Sequence, residues 1–347
     1  MSGRLNASRA SWFLALLAIL ALAAALRLYR LDFQSLWLNE LDSWWMSHFG
    51  DLDKVLGRTV IRDPHPPGFQ LLLLPVIRWL GDSEAMLRLP SALFGILAVW
   101  AIALLGRRLF NPATGLLAAA LLACSWVAIY YSQEARAYSA LLLTSIVSTH
   151  LLVGICQRAE RGERANLLSC AAYVLTAACA CYLHYFGVLV VVFHGLLLVL
   201  RLGIGRLSVG LIAGVALLYI PWLPGILQDL AMKEHYILRA GWSHLPDYYV
   251  FASNDSWRLA LLAVLPLHVY ALWAAASELK RQPAGLGSWR RDSTVLLALW
   301  IVVPVGLAFT KSMVSLSVFT NRNLIICLAP LLLLLARGVT VLPLSRR

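Results

Sequence analysis

Residues 12–29 read WFLALLAILALAAALRLY, an apolar run in which Arg27 is the only charged residue. A helix of this length extends about 27 Å, close to the roughly 30 Å hydrocarbon core of a bilayer. Similar runs recur as far as Leu344, and the chain is 61% hydrophobic and 13% charged, with a mean hydropathy of +0.76. The runs do not alternate apolar and polar residues, so helices rather than transmembrane strands are predicted. The sequence predicts an all-α polytopic integral membrane protein and excludes a soluble enzyme, a disulfide-rich secreted module and a disordered chain.

The apolar runs predict about ten transmembrane helices, separated by short polar loops. The expected spans are Trp12–Tyr29, Leu89–Leu105, Ala113–Tyr131, Tyr138–Ile155, Leu167–Leu183, Phe186–Leu200, Val209–Leu223, Leu259–Ser277, Thr294–Phe309 and Leu324–Val341. No repeat or linker divides the chain, so we expect residues 1–347 to form a single transmembrane domain without a soluble C-terminal domain. Ten spans place both termini in the cytoplasm.

The net charge of +12 could indicate a nucleic-acid-binding protein, but its distribution does not. With ten spans, 16 of the 29 basic residues and 4 of the 17 acidic residues fall in short cytoplasmic loops, which accounts for the whole excess. This asymmetry is the positive-inside rule. We therefore expect the bilayer as partner and no nucleic acid, and we expect the inner (plasma) membrane of a bacterium as the location.

Two long outer segments remain, residues 30–88 and residues 225–257. The first contains Gly68–Leu80, an apolar stretch that we interpret as an interfacial helix because it is short and interrupted by Gln70, Pro75 and Arg78. The alternative, a further span, would invert every later loop. The second contains Trp242, Tyr248, Tyr249 and Phe251, which are either interfacial anchors or a lid that contacts the acceptor.

The first outer segment also holds most of the candidate chemistry. Glu40 and Asp42 lie two residues apart beside tryptophans, and Asp63 precedes His65 and a Pro-Pro step. Carboxylates at the membrane surface can act as a general base or hold a divalent cation, while His or Arg can neutralise a phosphate. The alternative is a solvated acidic loop.

Four motifs occur in order along the first 140 residues: Trp37–Glu40 (WLNE), Asp63–Pro67 (DPHPP), Leu87–Gly95 (LRLPSALFG) and Tyr130–Tyr138 (YYSQEARAY). Together they resemble those of the GT-C membrane glycosyltransferases (glycosyltransferase family 39-like), in the branch of the protein O-mannosyltransferases and the lipid A aminoarabinose transferase. Thinner matches follow at Leu183–Gly187 (LHYFG), Pro221–Pro224 (PWLP) and Asn321–Asn323 (NRN). The resemblance implies a GT-C-like helical fold in which the first outer loop is catalytic.

The resemblance implies transfer of one sugar from a polyprenyl-phosphate donor to an extracytoplasmic lipid, glycan or protein. Asn39 stands where the family usually has Asp, so we expect Glu40 to be the general base, with Asp42 as helper or cation ligand and Asp63 as the next candidate. His65, Arg136 and Arg322 are the expected contacts of the donor phosphate; for Arg136 the alternative is an ion pair with Glu134. The expected substrate-binding residues are Asn39, Tyr131, Glu134, Tyr138, His184 and Tyr185.

No metal site is assigned, although Glu40 and Asp42 could hold Mg²⁺ or Mn²⁺ as a cofactor. Two other functions stay open. An oligosaccharide ligase or polymerase would use a pyrophosphate-linked donor in a similar site. A lipid or solute transporter would place ionisable residues in the middle of its helices and show two related halves, which this sequence does not.

Overall fold

A computed structural model describes residues 2–48, 52–62, 65–231, 241–281, 289–315 and 317–342. Within these ranges the protein is helical and has no strand, so the predicted all-α class is confirmed. The helices are α1 (Ser2–Leu28), α2 (Leu38–His48), α3 (Leu52–Arg62), α4 (Gly68–Leu80), α5 (Glu84–Leu109), α6 (Pro112–Cys124), α7 (Trp126–Ser132), α8 (Tyr138–Glu160), α9 (Leu167–Leu183), α10 (Phe186–Leu202), α11 (Arg206–Tyr219), α12 (Leu223–Ala231), α13 (His244–Ala252), α14 (Trp257–Leu259), α15 (Leu265–Arg281), α16 (Trp289–Val314) and α17 (Leu328–Val341).

Seven helical segments in the described ranges are long and apolar enough to cross a membrane, or eight if the bent pair α6–α7 is one span. All ten predicted segments are helical, but α9 and α10 are shorter than a full span by this measure. The count of ten therefore stays a prediction. Helix α4 has 13 residues, packs against α2 and α5, and its interfacial position also stays a prediction.

Helix α5 is at the centre of the bundle, where it packs against α1, α6 and α8. Its inner face is buried and consists largely of small and branched residues such as Ala98, Val99 and Ile102. Gly106 lets α5 approach α6 closely, because a Cβ there would lie 2.8 Å from the Cα of Gly115. Small residues at such crossings allow helix backbones to pack closely in a membrane.

The chain bends by 60° between α6 and α7, at Ser125. A helix that ends inside the bundle leaves carbonyl groups without intrahelical partners. Arg27 of α1 is fully buried and donates to the carbonyls of Ala123 (3.0 Å) and Leu122 (2.9 Å) at the end of α6. The single charge in the first apolar run therefore caps the broken helix.

Candidate active site

The first outer loop folds around the side chain of Arg88, which projects from α5. Its guanidinium donates to the carbonyls of Leu31 and Gln34, both at 2.7 Å, and to that of Ser35 at 3.3 Å. It also forms a bidentate ion pair with Glu40, at 2.8 and 2.7 Å. One buried cation thus fixes the loop and the start of α2 against the bundle.

Glu40 is buried, with 1% of its surface exposed, and both of its oxygens accept hydrogen bonds. Besides Arg88, the donors are the backbone N–H of Ala135 (2.7 Å to Oε1) and, more distantly, that of Trp37 (3.4 Å to Oε2). This arrangement holds the first outer loop on the segment between α7 and α8. The role of Glu40 as general base stays a prediction. The contacts that the structure shows for Glu40 are those of a buried carboxylate held in an ion pair.

The structure does not bring Asp42, the predicted helper, to the side of Glu40. Asp42 is exposed on α2, while Glu40 is buried. Residues two apart on a helix are related by a rotation of about 200° about the helix axis, so Glu40 and Asp42 lie on different faces of α2. Asp63 lies outside the described residues.

The segment between α7 and α8 carries the second half of the site. Its backbone is held by a hydrogen bond from the hydroxyl of Ser91 to the carbonyl of Arg136 (3.0 Å). The guanidinium of Arg136 donates to the carbonyl of Asn39 (3.2 Å) and to the hydroxyl of Ser43 (3.1 Å). Asn39 and Arg136, both predicted as site residues, therefore lie together.

Glu134 lies in this segment and is 6% exposed. Its Oε2 atom has no hydrogen-bond partner, and among the described residues no salt bridge joins it to Arg136, so the ion pair considered from the sequence is not formed. Burial raises the pKa of Glu134 to about 7; a hydrogen bond from Tyr130 opposes the shift, the charge of Glu40 adds to it, and Arg136 and Arg322 oppose it. Near neutral pH this carboxyl is present in both protonation states.

Two tyrosines flank the segment that carries Glu134, one near the end of α7 and one at the start of α8. Tyr131 and Tyr138 are both buried, with ring centroids 4.8 Å apart. Tyr131 also packs against Phe251 of α13, at 6.3 Å, which brings the second long outer segment to the site. The other aromatics there have different neighbours: Tyr248 donates to the carbonyl of Leu324, and Trp242 packs on Phe309.

His184 ends α9 beside the same region, and its ring lies 4.9 Å from that of His65. Its Nδ1 accepts from the backbone N–H of Phe186 (3.1 Å), so in the neutral ring Nε2 carries the proton. Burial, and then the nearby charges of His65, Arg136 and Arg322, hold the pKa of His184 well below its usual range. The buried Nε2–H has no hydrogen-bond partner and is a free neutral donor.

A narrow cleft lies beside Arg136 and His184, and His65, Phe69 and Tyr138 are among its other lining residues. Arg322 is half-buried before α17, and its charge acts on both Glu134 and His184. Tyr185 points elsewhere, since its hydroxyl accepts from the indole N–H of Trp222 (3.2 Å). Most of the predicted binding residues thus converge, and Tyr185 contacts the PWLP motif instead.

Sequence reasoning missed the role of Arg88. Its signal was present in the LRLPSALFG motif, where a lone charge opens an apolar helix, and such charges usually have a buried partner. No group of three or more His, Cys, Asp or Glu side chains that could hold a metal occurs among the described residues. The predicted divalent cation stays a prediction.

The profile of a family described as dolichyl-phosphate-mannose-protein mannosyltransferase matches residues 64–224. No curated protein sequence matches the chain. Among solved structures, ArnT from Cupriavidus metallidurans bound to undecaprenyl phosphate matches with a TM-score of 0.62 and 16% identity, covering 96% of this chain and 60% of ArnT. The oligosaccharyltransferase AglB from Archaeoglobus fulgidus, in complex with an inhibitory peptide and a dolichol-phosphate, matches with a TM-score of 0.58 and 13% identity, covering 97% of this chain and 51% of AglB.

These structural matches extend over nearly the whole of the chain, whereas the chain spans only about half to three-fifths of the matched proteins. At such low identities the likeness shows the fold. The protein has the GT-C fold of polytopic membrane proteins, and the resemblance to GT-C membrane glycosyltransferases that the motifs indicated is confirmed.

Proposed function

We propose that this protein is a glycosyltransferase that moves one sugar from a polyprenyl-phosphate donor to an extracytoplasmic lipid, glycan or protein. One observation carries the proposal: two buried polar atoms, Oε2 of Glu134 and Nε2 of His184, have no hydrogen-bond partner and lie near two arginines. Nearly all buried polar atoms in native proteins have a partner, so such exceptions indicate a place that a ligand completes.

The charges of the site fit a phosphate. Arg136 and Arg322 supply positive charge, and the Nε2–H of His184 supplies a neutral donor. Donors fixed beside a departing phosphate stabilise the charge that develops as the glycosidic bond breaks. The ligands bound in the two structural relatives, undecaprenyl phosphate in ArnT and dolichol-phosphate in AglB, support a polyprenyl-phosphate donor. Tyr131 and Tyr138 would offer ring faces to the sugar.

We place the site on the periplasmic side of a bacterial inner membrane, with both termini in the cytoplasm, because that orientation satisfies the positive-inside rule. Asp42 and Asp63 stay predicted candidates for the base, and Glu40, through Arg88, would position the first loop. A divalent cation held by Glu40 or Asp42 stays a prediction as well.

The test is a transfer assay with the full chain in proteoliposomes. A panel of polyprenyl-phosphate sugars is supplied from outside, and release of polyprenyl phosphate is measured. We expect turnover with at least one donor, and a donor KM about tenfold higher or more in Arg136→Gln and Arg322→Gln, because charge-assisted hydrogen bonds contribute about 1.5–3 kcal/mol each. Arg258→Gln is the matched control, since Arg258 is exposed on α14. Turnover with nucleotide sugars alone would contradict the proposal.

The structural similarity to AglB supports a second candidate function, that of a ligase or polymerase that uses pyrophosphate-linked oligosaccharides. The same proteoliposomes with polyprenyl-pyrophosphate oligosaccharides decide between them. Preferred turnover of the pyrophosphate donor would favour this candidate. Movement of a lipid or solute across the bilayer without bond cleavage would indicate a transporter.

A further inference from the structure

Resting on the proposed function, we infer that Glu134 is the group that takes the proton from the acceptor hydroxyl during transfer. Among the described residues of the first outer loop and of the segment between α7 and α8, two carboxylates are buried, Glu40 and Glu134. Both oxygens of Glu40 are occupied by N–H donors, two of them from a guanidinium. Glu134 keeps one oxygen without a partner. It is therefore the buried carboxylate that is free to accept a proton.

The backbone around Glu134 is fixed from two sides. The N–H of Ala135, the next residue, donates to Glu40 (2.7 Å), and the side chain of Arg136 donates to the carbonyl of Asn39 (3.2 Å). A base must be held within hydrogen-bond reach of the proton that it removes. The first outer loop supplies this positioning, so Glu40 would act on the base through the backbone of Ala135 without itself taking the proton.

The electrostatic environment suits the same role. Burial raises the pKa of Glu134 to about 7, and a catalytic base works best when its pKa is close to the working pH. Among the described residues, the groups that interact electrostatically with this carboxyl are Glu40 on α2, Arg88 on α5, Tyr130 and Tyr131 on α7, Arg136 beside it, and Arg322 before α17. Arg136 and Arg322 oppose the effect of burial, so part of the population stays ionised at neutral pH.

The step balances without a further reactant. The acceptor oxygen forms a bond to the anomeric carbon while the bond from that carbon to the phosphate oxygen breaks. The electron pair of the broken bond stays on the phosphate, which leaves as polyprenyl phosphate. The hydroxyl proton of the acceptor moves to Oε2 of Glu134, and from there to water.

The kinetic test compares the full-length wild type with Glu134→Gln, Glu134→Asp and the control Glu84→Gln. Glu84 is a half-buried acid at the start of α5 on the same side. We expect Glu134→Gln to lower kcat by about 10²–10⁴-fold and Glu134→Asp to retain part of the rate. The wild-type kcat/KM should fall about tenfold per pH unit below pH 7, and this limb should be absent in Glu134→Gln.

A binding measurement distinguishes a catalytic role of Glu134 from a merely structural one. Glu134→Gln should bind undecaprenyl phosphate with an unchanged or lower Kd, because the arginines lose a competing negative charge. A variant that merely misfolds would lose binding together with turnover. Full wild-type kcat and an unchanged pH limb in Glu134→Gln, at normal binding, would overturn the inference and leave the proposed function intact.

Infrared titration tests the carboxyl without any substrate. The wild type and Glu84→Gln should show the carbonyl band of a protonated carboxyl that disappears through about pH 7, and Glu134→Gln should lack it. Persistence of this band in Glu134→Gln would assign it to another group and overturn the inference. If the wild type cleaves no polyprenyl-phosphate sugar, the proposed function fails first and the inference fails with it.

Discussion

Replacing Glu40 by Gln distinguishes an anchoring carboxylate from a catalytic one. Glu40 accepts two hydrogen bonds from the guanidinium of Arg88 and one from the backbone of Ala135, all at 2.8 Å or less. Hydrogen bonds to charged groups contribute about 1.5–3 kcal/mol, and an amide cannot accept both bonds of a guanidinium. We expect Glu40→Gln to lower the free energy of unfolding by about 2–3 kcal/mol.

Removing Arg88, the other partner of this ion pair, should lower the free energy of unfolding by a larger amount. Arg88→Met leaves a buried carboxylate without its cation, and it also leaves the carbonyls of Leu31 and Gln34 without a donor. Breaking a buried ion pair in this way costs about 3–5 kcal/mol. The loss of unfolding free energy in the double variant should be smaller than the sum of the losses in the two single variants, by about 1–3 kcal/mol, because the two side chains interact directly.

The assay is unfolding of the detergent-purified protein, measured in parallel with transfer activity per folded molecule. The control is Asp32→Asn, an exposed acid beside the same loop, which should change stability by no more than about 0.5 kcal/mol. If Glu40 anchors the loop, Glu40→Gln loses stability and keeps measurable activity per folded molecule. A loss of about 10²–10⁴-fold in kcat at wild-type stability would refute this reasoning and identify Glu40 as the base.

Four further substitutions test the fold and the site. Arg27→Leu leaves the carbonyls at the end of α6 without donors and should lower the free energy of unfolding by about 2 kcal/mol or more, measured by thermal unfolding; an unchanged value would contradict the capping role. Gly106→Ala should destabilise the protein because its Cβ would lie 2.8 Å from a backbone atom of α6, whereas Gly306→Ala, with nothing within 4 Å, should stabilise α16 by about 0.4–1 kcal/mol. His184→Phe should raise the donor KM without moving the acid limb of the pH profile, because the pKa of His184 already lies well below its usual range; a shifted limb would show that His184 titrates in this range.

Much of the fold could be predicted from the sequence because hydrocarbon thickness and backbone hydrogen bonding leave few choices for apolar runs. All ten predicted segments are helices, and Gly68–Leu80 is a helix with the predicted bounds. The 60° bend at Ser125 was not predicted, since the run from Ala113 to Tyr131 contains no charged residue and no proline that would indicate a break. The signal lay elsewhere in the chain, in Arg27, the single arginine of the first apolar run, and periodicity cannot connect two such distant positions.

The site shows the same limit. The motifs predicted that Asn39, Arg136 and His184 belong to the same site. In the structure Arg136 donates to the carbonyl of Asn39, and its charge acts on His184. The sequence could not show which carboxylate is paired. Glu40 and Glu134 are both acids in matching motifs, and what separates them is the arginine that reaches Glu40 from 48 positions away. Pairing of this kind depends on tertiary distance, which the spacing of a motif does not contain.

The charges of the site also explain why a base and a donor phosphate can share one buried site. Glu40 and Arg88 neutralise each other, which leaves Arg136 and Arg322 as positive charge against Glu134. With a donor bound, the phosphate diester and an ionised Glu134 would each carry one negative charge. After transfer, the phosphate would carry about one more and Glu134, now protonated, would carry none. The total charge facing the two arginines therefore stays nearly constant through the reaction. In a buried site, where uncompensated charge is costly, proton transfer to Glu134 removes the penalty that the departing phosphate would otherwise impose.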